Sequence, residues 1–341
     1  MSVLFMKRTL LFAVVAVILV ACATVPSAGL TPAQSPNDSK QYRYLVLENE
    51  LQVLLISDSG TPKAAGALDV MVGHGDNPPG RAGLAHFLEH MLFLGTEKYP
   101  DAAEYEQYTT EHGGRRNAFT SFEHTNYFFD IDEAFLPEAL DRFAQFFIAP
   151  KFDAQYVQRE KNAVEAEYQM GLKSDGRRGL DVLQEVMNPQ HPFSQFAVGS
   201  LESLADRPGS SVRDELLAFY EKHYSANVMR LVVLGSQSLD ELEELVVPMF
   251  AQVPNKSFEP SEIAEPLFTA NSLPMFVQVK PQATLRQLSV VFPITDYRAQ
   301  YRIKPVSYVA NLVGHEGEGS LLSQLKVEGL AEGLGASSGL A

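Results

Sequence analysis

Apolar and polar residues along this chain fall into short runs with the period of strands and longer runs with the period of helices. Tyr42–Glu48 and Leu51–Ser57 are brief, apolar-rich segments and predict two strands, joined as a hairpin through Asn49-Glu50. Ala65–Val72 predicts a further apolar strand, closed by the turn-rich stretch Gly73–Gly80. Three longer segments carry the helical period: Leu84–Leu94, Glu133–Phe147 and Asp153–Leu172. Between the first two lies Thr125–Ile131 (TNYFFDI), whose aromatic and β-branched content predicts a strand. Ser211–His223 reads as helix, Met229–Leu234 as strand and Leu239–Phe250 as helix.

The segment Pro254–Pro274 holds four prolines counting both ends and reads as a linker. From Met275 the order restarts, with strands expected at Phe276–Val279 and Gln287–Phe292 and helices near Val306–Val313 and Leu321–Val327. That repeat of strands then helices hints at internal duplication. The second unit runs out in Gly335-Ala336-Ser337-Ser338-Gly339, so the chain reads as truncated within it. Mixed strands and helices in this order predict an α+β layered architecture. The expected division is a leader over 1–22, a Pro/Ser/Ala-rich tether over 23–40, a main domain over 41–253, a linker over 254–274 and the start of a second domain over 275–341.

Composition adds bounds. A chain of 341 residues that is 45% hydrophobic can bury a large core and suits two domains. A net charge of −15 disfavours nucleic-acid phosphates, so no nucleic-acid partner is expected. At the N-terminus Lys7 and Arg8 precede an apolar run from Leu10 to Ala21, too short to span a bilayer but suited to a secretory leader. The run ends at the only cysteine, Cys22, and Leu19-Val20-Ala21-Cys22 resembles a bacterial lipobox. A plain leader with a chance cysteine is the alternative; a lone cysteine at the cleavage point favours lipidation. The lone thiol excludes an intrachain disulfide framework. Ala23 after it resembles lipoproteins sent to an outer membrane. The expectation is therefore an exported protein in the periplasm of a Gram-negative bacterium, attached to membrane lipid through Cys22.

The chemistry concentrates in the first helix. His86, Glu89, His90 and Phe93 stand at i, i+3, i+4 and i+7 and share one face, while the remaining positions are apolar nearly all round. Such a helix is buried, and its polar stripe must meet a partner, because unpaired buried ionisable groups are costly. Two imidazoles one turn apart can occupy adjacent corners of a tetrahedral zinc site, and the intervening glutamate can reach a water rather than the ion. That is the H-x-x-E-H order. A five-residue pattern matches by chance often, and packed or solvated histidines are its bland reading. A third ligand is needed. Glu160 and Glu167 are seven residues apart on one face of a later helix, with Glu165 pointing elsewhere. One could bind metal and the other support it from behind. Spacing alone does not choose between them, and Glu-rich helices are most often merely solvated.

The run Gly83–Thr96 (GLAHFLEHMLFLGT) resembles the insulinase/pitrilysin family of zinc peptidases, in its insulysin-like branch. So do Asn117-Ala118-Phe119-Thr120-Ser121, Glu123–Tyr127, Asp141–Phe147 and His191–Ser194. The resemblance implies an antiparallel-rich sheet packed by helices, followed by a truncated domain of the same type. It implies one Zn2+ per chain, held by His86, His90 and Glu167, with Glu89 as the base that activates water. Glu160 is implied to support catalysis without touching metal. Asn117, Ala118, Phe119 and Thr120 match an edge strand that pairs with substrate backbone. The implied activity is hydrolysis of peptides and small unfolded polypeptides. Family members carry four related domains around a chamber, so a missing C-terminal half or a partner subunit is expected to close it. Two rivals stand beside this reading: a non-catalytic family member acting as a structural subunit, and a lipoprotein that traps peptides without cutting them. His112 and His124 are expected to be structural or surface histidines. Gly314–Gly319 (GHEGEG) fits no phosphate-binding pattern, and the resemblance puts it in the second domain near a substrate-anchoring wall.

Overall fold

The computed structural model describes residues 32–260 and 262–339. The expected leader, with Cys22, and the first part of the tether lie outside the described residues. The main body is one six-stranded sheet of β1 (Gln41–Val46), β2 (Gln52–Ser57), β3 (Lys63–Val70), β4 (Arg115–Thr120), β5 (Thr125–Asp132) and β6 (Met229–Gly235). Its spatial order is β1-β2-β6-β3-β5-β4, with every pairing antiparallel except β2 with β6. The last strand in sequence thus inserts at the centre, and β4 is left at an edge with β5 as its one neighbour.

Alternation fixes which face is dry. In β5, Thr125, Tyr127, Phe129 and Ile131 are buried while the residues between them are not. The dry face is covered by helices α1 (Leu84–Leu92), α3 (Leu136–Ile148) and α7 (Leu239–Phe250), with α6 (Val212–His223) packed on α1. Leu136, Leu140, Phe143 and Phe147 of α3 recur at helical spacing and are 0–1% exposed. Phe143 meets Phe129 and Phe147 at ring-centroid separations of 5.2 and 5.4 Å. Each phenylalanine so buried contributes about 1.5–3 kcal/mol relative to exposure. Helix α2 (Glu104–Glu111) precedes β4, while α4 (Ala154–Gly171) and α5 (Asp175–Glu185) follow α3.

Beyond the main body, α8 (Pro305–Val313) and α9 (Leu321–Val327) form where helices are expected. The two strands expected there do not: residues 276–279 and 287–292 carry no regular structure, and Phe276, Leu288 and Phe292 are 75–81% exposed. A strand needs neighbours to take up its backbone hydrogen bonds, and among the described residues none lies alongside. This segment touches the main body at α5, where the Asp175 carboxylate accepts from the Gln282 and Ala283 N–H groups at 2.7 and 2.9 Å. Among the described residues no helix is long and apolar enough to cross a membrane.

Candidate metal centre

Helix α1 is held in place at its start. Gly83 has a φ of 84°, in the left-handed region. A Cβ there would lie 2.2 Å from the Cα of Gly199, so two glycines let the 198–199 loop press against the helix. Asn77 Oδ1 accepts from the Ala85 N–H at 2.8 Å and satisfies one of the free donors of the first turn. Arg81, 1% exposed, forks onto the Glu215 carboxylate of α6, with Nη2 donating to Oε1 at 2.7 Å. Leu84, Phe87, Leu88, Met91 and Leu92 are fully buried beneath. Of its polar residues, His86 and His90 face α4 and Glu89 turns to Thr120 of β4.

The Val198 loop fixes a tautomer. His86 Nδ1 lies 2.7 Å from the Val198 carbonyl, and a carbonyl only accepts. Nδ1 therefore carries the proton, and Nε2 presents its lone pair to the cleft. His90 Nε2 lies 3.3 Å from His86 Nε2. Glu167 spans the pair, with Oε2 3.4 Å from His86 Nε2 and Oε1 3.5 Å from His90 Nε2. Glu160 approaches from behind, its Oε2 3.5 Å from His90 Nδ1 and its Oε1 accepting from Arg159 Nε at 2.8 Å. Thr120 of β4 donates its hydroxyl to Glu89 Oε2 at 2.5 Å.

The charges follow that geometry. Burial works against charge on His86, but Glu167, Glu89 and the Val198 carbonyl outweigh it and raise its pKa. Burial pushes Glu89 above the usual carboxylate range, with His86 and the Thr120 hydroxyl pulling against it. Burial also opposes charge on Glu160, yet His90 and Arg159 hold its carboxyl low. The His86 ring, 3.4 Å away, holds Glu167 low against a smaller effect of burial.

His86, His90 and Glu167 form the group of potential ligand atoms that lie within 4.8 Å of one another among the described residues. A tetrahedral zinc with bonds of about 2.0–2.1 Å sets its ligand atoms roughly 3.3–3.4 Å apart. The two Nε2 atoms stand 3.3 Å apart, each has its own Glu167 oxygen at 3.4 or 3.5 Å, and one atom from each residue can be chosen within 4.8 Å of the others, a spread that small side-chain turns bring to that spacing; two imidazoles with a carboxylate are a donor set that zinc accepts. The residues present fit the ion.

A cleft of about 560 Å³ brings together His86, Glu89, His90, Glu160, Glu167 and Asn117–Thr120 of the β4 edge, so the residues singled out from the sequence line one space, Cys22 excepted. Glu165 turns away and accepts from the Leu201 N–H at 2.8 Å. His124 pairs with Asp69 at 2.8 Å, and His112 packs on Phe135; neither lines the cleft, nor does Gly314–Gly319. Sequence reasoning did not find Val198, Asn77 or the cleft arginines Arg116, Arg159 and Arg177. Val198 acts through its backbone carbonyl, which leaves no trace in residue type.

Two family models match the chain: "Insulinase (Peptidase family M16)" over residues 52–191 and "Peptidase M16 inactive domain" over residues 211–340. The second match begins ahead of α6 and so takes in α6, β6 and α7, which fold with the main sheet. Human insulin-degrading enzyme is 48% identical over 299 residues, covering 87% of this chain and 29% of that protein. The peroxisomal insulin-degrading enzyme-like 1 of Arabidopsis thaliana is 45% identical over 305 residues, covering 89% of this chain and 31% of its own length. A crystal structure of pitrilysin superposes with a TM-score of 0.81 at 35% identity, covering 90% of this chain and 33% of that one. The chain thus spans 29–33% of the length of these proteins.

Proposed function

The chain belongs to the insulinase family of peptidases, family M16, and on that premise we propose that it carries the metal site of a zinc-dependent endopeptidase in which Glu89 activates the attacking water. The observation that carries this reading is the donor triangle of His86, His90 and Glu167, set beside a buried glutamate with one oxygen already engaged. When bound there, zinc supplies a water whose pKa is lowered to about 7 and an electrophile for the scissile carbonyl. Glu89 Oε1, left free by the Thr120 bond to Oε2, takes the water's proton and later delivers it to the leaving amine. Its raised pKa moves it toward the range in which one group can do both. Glu160 holds the His90 ring from Nδ1 as the Val198 carbonyl holds His86, so both Nε2 atoms stay aimed at the cleft. Along β4, Asn117–Thr120 offer an unpaired edge to which an extended peptide adds as a strand, chiefly through backbone bonds. Peptides and small unfolded polypeptides suit such loose side-chain demands.

The same reading extends to partners and place. A further polypeptide, continuous with this one or separate, closes the chamber over the cleft, and lipidation at Cys22 holds the protein at the periplasmic face of an outer membrane. A rival reading, capture of peptides without cleavage, shares the site and differs in outcome. Metal content and hydrolysis of an internally quenched peptide are to be measured for wild type and Glu89→Gln, with and without chelator. Zinc is expected in both proteins at about one per chain, with hydrolysis reduced about 10²–10⁴-fold in Glu89→Gln. A metal-free wild type, or hydrolysis indifferent to chelator, overturns the proposal. Zinc with peptide binding but no hydrolysis leaves the capture reading.

A further inference from the structure

We propose that Arg177 reads a carboxylate on the bound peptide beside the bond to be cut, giving the cleft a preference for acidic substrates. This rests on the peptidase reading above and names a substrate class for it. Arg177 lies in the first turn of α5 and lines the same cleft as the donor triangle. Its stem lies against Gly171, the last residue of α4: a Cβ there would sit 3.1 Å from Arg177 Cδ, so the arginine crosses the helix where no side chain stands. Gly171 is one turn beyond Glu167 on the same face, so the stem passes close to the ligand cluster. The charge of Arg177 is felt at the Glu167 carboxyl.

The other two cations of the cleft are already matched. Arg116 pairs with Glu106 at 2.8 Å and covers the Phe93 ring, and Arg159 pairs with Glu160 at 2.8 Å while lying on Tyr156. Among the described residues the Arg177 guanidinium has neither a hydrogen bond nor an ion pair. A planar fork of donors without a protein acceptor, in a cleft that admits peptide, suits a carboxylate. That group is either an Asp or Glu side chain or the peptide's own C-terminus, and the test separates the two.

Binding is measured by fluorescence anisotropy on zinc-supplied Glu89→Gln protein, which cannot consume the probe. The probes are short labelled peptides in which Gln is changed to Glu at each position in turn, each with a free or an amidated C-terminus. One change is expected to tighten binding about fivefold, the scale of a partly solvated ion pair. Adding Arg177→Gln removes the preference, Arg177→Lys keeps part of it, and Arg177→Glu reverses it. A gain at an internal position assigns an acidic side chain; a gain only with the free terminus assigns the C-terminal carboxylate. Equal binding of Glu and Gln peptides throughout, absence of binding, or a preference that survives Arg177→Gln overturns the proposal. Zinc content keeps the two readings apart: loaded protein without acid preference removes only the role of Arg177, whereas protein that takes up no zinc removes the peptidase reading beneath it.

Discussion

Two helices build the candidate metal centre, and they are buried to different depths. Helix α1 has seven of its nine residues buried, including Glu89, and its start is fixed by the Gly83–Gly199 contact, the Asn77 cap and the Arg81–Glu215 fork. Helix α4 is twice as long, yet only Lys161 and Val164 are buried. Folding therefore sets where His86 and His90 stand. Glu160 and Glu167 stand on a helix seated by fewer apolar contacts, Val164 in the core with Tyr156 and Val157 packed against it. Damage to α1 should be read in stability, and damage to α4 in metal affinity with the fold intact.

The sharpest way to break that contrast lies within α4. Glu167→Gln removes a donor atom, and zinc affinity is expected to fall at least about a hundredfold, while Glu160→Gln, which acts only through His90 Nδ1, costs about tenfold. Competition with a fluorescent chelator reads both. Since both side chains are only partly buried, urea midpoints should shift little, by roughly 0.5 kcal/mol or less. A larger loss for Glu160 than for Glu167 would exchange their roles.

On α1 the expected loss is of fold. Gly83→Ala puts a methyl into the Gly199 backbone at a φ that alanine disfavours, and neither backbone can retreat without moving Val198 away from His86. A cost of about 3 kcal/mol in denaturant unfolding is expected, together with weaker zinc binding as the tautomer constraint loosens. A shift below about 1 kcal/mol would mean that the loop is not what positions the helix.

The same contrast decides what could be read from the sequence. Polar residues on α1 stand out because everything around them is apolar, so the positions of His86, Glu89 and His90 in a shared stripe were legible from spacing alone. On α4 two glutamates sit among other polar residues, and choosing Glu167 took a family resemblance. Strands β1, β2, β3, β5 and β6 came within two residues of their observed bounds, because their buried faces impose a pattern. Strand β4, RRNAFT, has low strand propensity and one neighbour, and the residues alone did not announce it. Helix α5 has glycines at 176 and 179, which weaken its propensity, so packing and the Ser174 cap sustain it. The error ran the other way at 276–279 and 287–292, where apolar strand-like runs have no sheet to join among the described residues. A strand is a property of a pair, and half of a pair leaves only its composition in the sequence.

The smallest expected effect tests how α1 is anchored to α6, and it carries a pH signature. Hydrogen bonds from Arg81 hold the Glu215 carboxyl at about 2, below its ordinary value of 4.5. A carboxyl with a depressed folded pKa adds stability in full above the unfolded value, and that stability is lost as pH falls from about 4.5 toward about 2. With allowance for the partial exposure of Glu215, the contribution at neutral pH is about 2 kcal/mol. Glu215→Gln should therefore unfold at lower urea than wild type at pH 7, because Arg81 is left buried without its counter-charge. The gap between the two proteins should narrow as pH is lowered through that window, since acid removes from the wild type what the substitution removed from the variant. A gap of constant size from neutral to acid pH would show that the pair contributes shape rather than charge. The fixity of α1 would then rest on its apolar face and on Gly83.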